Sequence, residues 1–541
     1  MMCKTHMVMH RRGVALIVVL VLVVMIALAG FGFANSMGTE YEATKIAGDE
    51  LQADQALLSA EALVAQYLQL PTQQQLALGG HFDNETMFRG RAVLGDPERS
   101  DAPDGAARRS ASDDAWQFSV LAAPGGGQED SLVGEARSVR FGLVNESNKL
   151  HLGAILAWDR AKPGAGRAVL TKLPRVTPEV ADAILDWLDP DTTPREFGAE
   201  AEFYDALARP YRVANRLPKS LDELRLVRGV TATLLYGLDS NRNFRVDRSE
   251  QQLSSRAGLS SATEPIDEAT ESLGLVDFLT LHSAGRNANR TGEPRVDLNQ
   301  IDLPTLLLQL QTRLPEDVAK FIILYRQYGP SPGSGGSLVG QITLDMTKPW
   351  QFKLNSVAEL VDARIRIAAD SPTTIRSPLR TDSAELHELL PLLLSETTTN
   401  PALVLAGQLN VNSAPEAVLK AVPFLSDDTV QQIVSQRDML DDQTLASVAW
   451  LLTENVLSRD TFAQVQPWLT AGGNVFACQL FAFRGSRGPI RRVHVVFDAA
   501  SAKPRRLEWV DLRSRGRGFS WNQVSRINFE SDDPLSELLV E

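Results

Sequence analysis

Residues 14–34 form a run of 21 positions without a charge or a strong hydrogen-bonding side chain, long enough to cross a bilayer as a helix. Gly30 and Gly32 weaken the helix near its outer end. Lys4, Arg11 and Arg12 precede the run and the first acid after it is Glu40, so the basic side is expected in the cytoplasm and the remainder across the membrane. From 39 to about 70 the pattern turns to Ala, Leu, Gln and Glu without proline. Ala47, Leu51, Leu58, Ala62 and Ala65 recur at helical spacing and predict one packed face. One helix should therefore run from the membrane to Pro71, where proline ends it.

Strand-like runs follow at 116–122, 138–144 and 150–156, with a polar loop at 97–114 and a turn at 145–149. Residues 169–469 then read as short capped helices. Strand patterns return at 475–483, 491–497 and 506–512. This order predicts an α+β chain: a long N-terminal helix, a small antiparallel sheet made from early and late strands, and a helical domain inserted between them. The expected divisions are 1–13, 14–34, 35–168, 169–469 and 470–541.

The 541 residues carry 54 basic and 67 acidic side chains, for a net charge of −13. Hydrophobic residues at 44% and charged residues at 22% place the chain among ordinary globular proteins. Cys3 and Cys478 are the only cysteines, so a disulfide framework is excluded. The acidic balance makes broad nucleic-acid binding a poor expectation. Against it, ten arginines and one lysine fall between 484 and 526. They would face an acidic neighbour, lipid phosphate or simply water.

The basic leader ending in Gly13, followed at once by the apolar run, resembles the prepilin pattern. The resemblance implies cleavage by a prepilin peptidase after Gly13, leaving Val14 as the first residue. Most prepilins carry glutamate at the fifth mature position; here that position is Val18. A carboxylate inside a bilayer is costly without a partner, and in pilin-like filaments that partner is thought to be the N-terminal amine of a neighbour. A subunit with valine there suits the end of a filament. The alternative at this point is a plain signal anchor.

Two stretches, 297–329 and 409–440, share one plan: a short extended start, an Asn, a proline opening a helix, a proline in the hairpin, then acids opening a second helix. Partial copies lie at 172–188 and 219–237, and candidate helices follow at 356–363 and 444–452. These units resemble SAM-like and helix-hairpin-helix modules. That raises a membrane-anchored DNA-uptake receptor as an alternative, but the hairpins lack the Gly-x-Gly turn that lets amides reach a phosphate. Residues 183–230 resemble the middle of the general secretion pathway K protein, in the Asp186–Asp191 run, Gly198-Ala199-Glu200, Tyr204, Tyr211-Arg212 and Asn215. With Val18 and the 410–415 stretch, the chain is similar to the type II secretion minor pseudopilin K family. The departures are that the family's disulfide is impossible here and that the chain is longer. The resemblance implies a non-enzymatic, single-pass inner-membrane protein with its bulk in the periplasm, at the tip of a short filament. Its implied partners are the I and J minor pseudopilins, the major pseudopilin, the prepilin peptidase and exported cargo, with no nucleic acid.

One segment has metal-ligand spacing. In 239–250 the oxygen positions of a calcium loop fall on Asp239, Asn241, Asn243, Asp247 and Glu250, with the Arg245 carbonyl between. Phe244 stands where glycine would permit the sharp turn. An Asn/Asp-rich turn explains the composition equally. Calcium sites are also implied by the resemblance, which makes Asp186, Asp189, Asp191, Glu200 and Glu202 a second, weaker set. The text Gly329-Pro330-Ser331-Pro332-Gly333 fits a nucleophile elbow only as letters: it reads as linker. Cys478 sits in an apolar run and reads as a buried, inert thiol.

Overall fold

A computed structural model describes residues 12–93, 115–124, 139–256, 273–332, 336–340, 342–367, 374–486, 488–501 and 503–525. The leader up to Arg11, the 97–114 loop, Ser138 and part of the Gly/Ser run after Pro332 lie outside these residues.

Helix α1 spans Arg12–Gln69, 58 residues or about 87 Å, and Pro71 opens the next short helix, as the proline predicts. Its apolar half, from Leu16 onward, is covered by none of the described residues. Surface of that kind is stable only in an apolar medium, so the length and bareness fit a single membrane span. The other half lies on a sheet through Ala53, Ala56, Leu57, Ala60, Val64 and Tyr67, all buried. This corrects the expected face: Leu51 is 65% and Leu58 46% exposed, and Ala47 and Ala62 are also bare. Both stripes have helical period. The alanines at 53, 56 and 60 decide between them, because small side chains let the helix approach the strands closely.

The sheet is antiparallel, in the order β1 (Arg91–Ala92), β2 (Trp116–Ala122), β15 (Val475–Arg484), β16 (Ile490–Asp498) and β17 (Arg505–Asp511), with β3 (Arg140–Phe141) on β2 and β4 (Val144–Asn145) on β15. The register pairs Leu480 with Val120, so early and late chain meet at the sheet centre. β15 is buried at every position but its last. A strand covered on both faces has no polar side to alternate with, which is why 475–483 reads as one apolar run. Burial raises the Cys478 thiol pKa, and the side chain is a packed, free cysteine.

Between the two halves of this sheet lies a helix-rich region with its own core. The sequence predicts an all-helical insert; the region departs from that because two- and three-residue strands pin its units together. β5 (Leu150–His151) pairs β6 (Leu279–Thr280), β8 (Val296–Asp297) pairs β11 (Thr397–Thr398), and β13 (Leu409–Asn410) pairs β14 (Leu469–Thr470), all parallel. Two antiparallel pairs join β7 (Ala284–Arg286) to β12 (Val404–Ala406) and β9 (Arg364–Arg366) to β10 (Thr374–Arg376). The two repeat units are built alike. Asn299 donates to the carbonyls of Leu354 and Thr399 at 2.9 and 3.2 Å, and Asn412 to those of Leu445 and Ala471 at 2.7 and 3.1 Å. Each asparagine thus ties its unit's start both to the segment after the hairpin and to the closing strand. The helices are Leu303–Gln311 and Glu316–Tyr328 in one unit, Glu416–Ala421 and Asp427–Arg437 in the other.

Three expected elements differ. The 150–156 strand stops at His151, whose Nδ1 accepts from Gly153 N at 3.0 Å and caps a helix, Leu152–Ala161. A short apolar run carries no signal that separates strand from buried helix. The helix expected at 356–363 is a single 3-10 turn, Val357–Leu360, and the one at 444–452 splits into Asp442–Leu445 and Trp450–Thr453.

Candidate metal centre

Helix Pro178–Leu188 is started by Thr177, whose hydroxyl accepts from Val180 N, and by proline in its first turn. Its buried inner face carries Asp182 and Asp186 as well as apolar side chains. A buried carboxylate needs a partner, and each has one. Asp182 takes both arms of Arg167, at 2.7 and 2.6 Å. Arg195, from the turn beyond the helix, reaches Asp186 at 2.7 Å, Asp159 at 2.9 Å and also Asp189. Gly198 closes over this cluster: a Cβ there would fall 1.8 Å from Asp186 Oδ2, so only glycine fits.

The chain past Asp186 then brings three further acids together. One carboxylate oxygen each from Asp189, Asp191 and Glu200 lies within 4.8 Å of the others. Asp189 and Glu200 are buried, yet Asp189 Oδ1 and both Glu200 oxygens have no hydrogen-bond donor among the described residues. Nor does the buried Asn215 Oδ1, whose amide donates to the Asp191 carbonyl at 2.6 Å. Burial pushes Glu200 up to about 7, with the charges of Asp186 and Asp189 adding to it. Asp189 is raised by burial and held back by Arg195. Buried acceptors without donors, all oxygen, fit a hard divalent cation. Of the second set read from the sequence, Asp186 is committed to Arg195, and Glu202 is exposed on the helix Ala201–Asp205 outside the cluster. Sequence reasoning missed Arg195 and Asn215 as parts of this site. The signal for Arg195 was its place four residues beyond the Asp186–Asp191 run, where only a folded turn returns it to the acids.

The 239–250 loop is closed on itself. Asp239 accepts from the backbone N–H of Asn243 and Phe244, at 2.9 and 2.7 Å. Glu250 accepts from Ser240 Oγ at 2.8 Å, Asn241 N at 3.0 Å and Asp247 N at 2.9 Å. Asp247 accepts from the side-chain amides of Asn241 and Asn243, both at 2.9 Å, and from Arg245 Nε. Phe244 has φ +66°, the left-handed conformation that a glycine would supply. It persists because the surroundings over-determine it, its ring packing on Phe519. Burial raises Asp239 to about 6. Within the loop, Asn241 Oδ1 alone is buried and without a donor among the described residues.

The sheet also holds this loop from outside. Gln479 donates to the Arg242 carbonyl at 2.7 Å, Arg515 to that of Ser240 at 2.8 Å, and Arg492 to that of Asn241. The loop's carboxylates are therefore already satisfied by its own donors, and it seats the helical region on the strands. The two acidic loops differ in this respect: the 189–200 cluster offers oxygens, Asp189 Oδ1 and both of Glu200, to which no described residue donates.

A family model described as type II secretion system protein K matches residues 167–240, the segment holding both loops' first acids. The chain is 49% identical over 57 residues to the type II secretion system protein K of Aeromonas hydrophila, and 41% identical over 56 residues to that of Pectobacterium carotovorum subsp. carotovorum. Each match covers 10% of this chain and 17% of the relative, so the chain spans about a sixth of the length of these relatives. A structural likeness to the crystal structure of the GspK-GspI-GspJ complex from the enterotoxigenic Escherichia coli type 2 secretion system covers 86% of this chain and 98% of that one, at 12% identity and a TM-score of 0.34. Through the segment 167–240, the chain is similar to the type II secretion system protein K family.

Proposed function

We propose that this protein is a minor pseudopilin at the tip of a type II secretion pseudopilus, priming filament assembly for export of folded proteins. The single observation that carries this reading is the protein K match at 167–240, in a chain whose 58-residue first helix is apolar at one end. Val18 supports the tip position, since it offers no carboxylate to the amine of a subunit above. The bulky helical region supports it independently by obstructing addition on that side. The subunit makes and breaks no bond; its work is assembly with the I and J minor pseudopilins and the major pseudopilin, after a prepilin peptidase has cut between Gly13 and Val14. Its bulk is periplasmic. In this reading Asp189, Asp191 and Glu200 hold a calcium ion, which would supply positive charge to a segment otherwise crowded with acids. The 239–250 loop is the second candidate. Purification of the full-length chain from membranes tests the assembly: it should bring down the I and J components, and recovery of the chain alone counts against the proposal.

A further inference from the structure

The region between β8 and β14 contains a cleft of about 740 Å³ that neither the sheet core nor the acidic loops use. One wall is 397–400 and the other is β12. A second hollow, of about 380 Å³, continues it past Arg295 and Pro401, which line both. The size is that of a ligand site rather than a packing fault.

β12 has a free edge here. Its register on β7 sets Leu405 opposite Gly285, and the flanking bonds run from Asn287 N to Leu403 O and from Gly407 N to Ser283 O. Residues 403, 405 and 407 thus turn their peptide groups toward β7, and the alternation of an antiparallel ladder turns those of Val404 and Ala406 away. No partner for these groups exists among the described residues. An unpaired edge of this kind is a template for another strand.

The cleft also has a charge preference. Arg295 and Lys353 line it and form no ion pair among the described residues, against one acid, Asp297. In the second hollow Asn287 is 5% exposed; its amide donates to the carbonyls of Asn400 and Ala402, and its Oδ1 has no donor among the described residues. That acceptor suits a peptide N–H. We propose that the cleft binds an extended, acidic segment of another polypeptide, which adds as a strand along Val404–Ala406 and sets its carboxylates on Arg295 and Lys353. This inference stands without the secretion reading, because it uses only the cleft.

The full-length protein in detergent tests it by fluorescence anisotropy with a labelled eight-residue peptide alternating valine and glutamate. Saturable binding is expected. It should weaken about tenfold or more when lysine replaces the glutamates, and likewise when alternate backbone nitrogens are methylated. Lys353→Glu, at an exposed position, should weaken the acidic peptide about tenfold. Val404→Pro removes the outward N–H while leaving the β7 bonds, and should do the same; if that variant misfolds, Lys353→Glu and the methylated peptide still decide. Absence of saturable binding overturns the proposal. So does equal affinity for the methylated peptide, which would mean charge alone, or an unchanged affinity in Lys353→Glu.

Discussion

Arg484, the last residue of β15, places its guanidinium 2.8 Å from the carboxylate of Asp49 on α1. It is the first of a series. Arg513 reaches Glu50 at 3.0 Å, Arg491 reaches Asp54 at 3.3 Å and Arg506 reaches Glu61 at 2.8 Å. These C-terminal arginines therefore face the acids of their own stem. Together with the alanine stripe they fix which side of α1 lies on the sheet, and hence how the membrane half is aimed.

The Arg484–Asp49 pair is partly buried and should contribute about 1 kcal/mol, more than a fully exposed pair. A double-mutant cycle with Asp49→Ala and Arg484→Ala, read by thermal unfolding of the detergent-solubilised chain, should return that coupling. Strictly additive effects would show that the pair holds nothing.

Calcium should stabilise the full-length chain relative to chelator. A gain of about 3 °C in Tm corresponds to a site near saturation in a protein of this size. Glu200→Gln with Asp189→Asn should remove the gain. Asp239→Ala with Glu250→Ala should remove only the part, if any, bound by the second loop. Identical melting with calcium and with chelator contradicts the proposed site.

His494 lies on β16 beside Glu508 and Glu146, where the helical region meets the sheet. Ser220 and Thr280 hydroxyls donate to those two glutamates, and His282 approaches Glu508 at 3.4 Å. Burial pushes His494 down to about 3, and Arg242 and Lys149 add to the effect against the two glutamates. The native imidazole stays neutral where the unfolded one takes a proton near 6.5. Between those values the unfolded state binds more protons, so stability falls on acidification. His494→Gln should flatten the decline of Tm from pH 7 to pH 5. An unchanged slope would show that His494 is not responsible for it.

Much of this architecture is legible in the sequence, and the misses have physical causes. The long helix and the strands of β2, β15, β16 and β17 follow from period and from runs covered on both faces. The face of α1 was not legible, because its acids and alanines acquire meaning only when Arg484, Arg491, Arg506 and Arg513 arrive from more than 400 residues away. The same holds for the acidic loops. Spacing within 239–250 is visible because it is contiguous, whereas the unsatisfied oxygens of Asp189 and Glu200 depend on where the chain beyond Asp186 has folded back. Phe244 argued against a calcium-type turn in the sequence, yet it adopts the glycine-like φ.

Prepilin peptidase should cleave between Gly13 and Val14, and sequencing of the mature N-terminus should begin at Val14. A Val18→Glu variant, given the missing carboxylate, should enter the filament body at least sometimes. An intact leader, or a variant that remains strictly terminal, would contradict the account of the stem.

The most direct measurement is the position of the subunit in assembled filaments. Gold labelling of an epitope placed on the helical region, imaged on overproduced pseudopili, should mark one end of each filament. Label distributed along the shafts, or filaments that form normally without the protein and never carry it, would contradict the account.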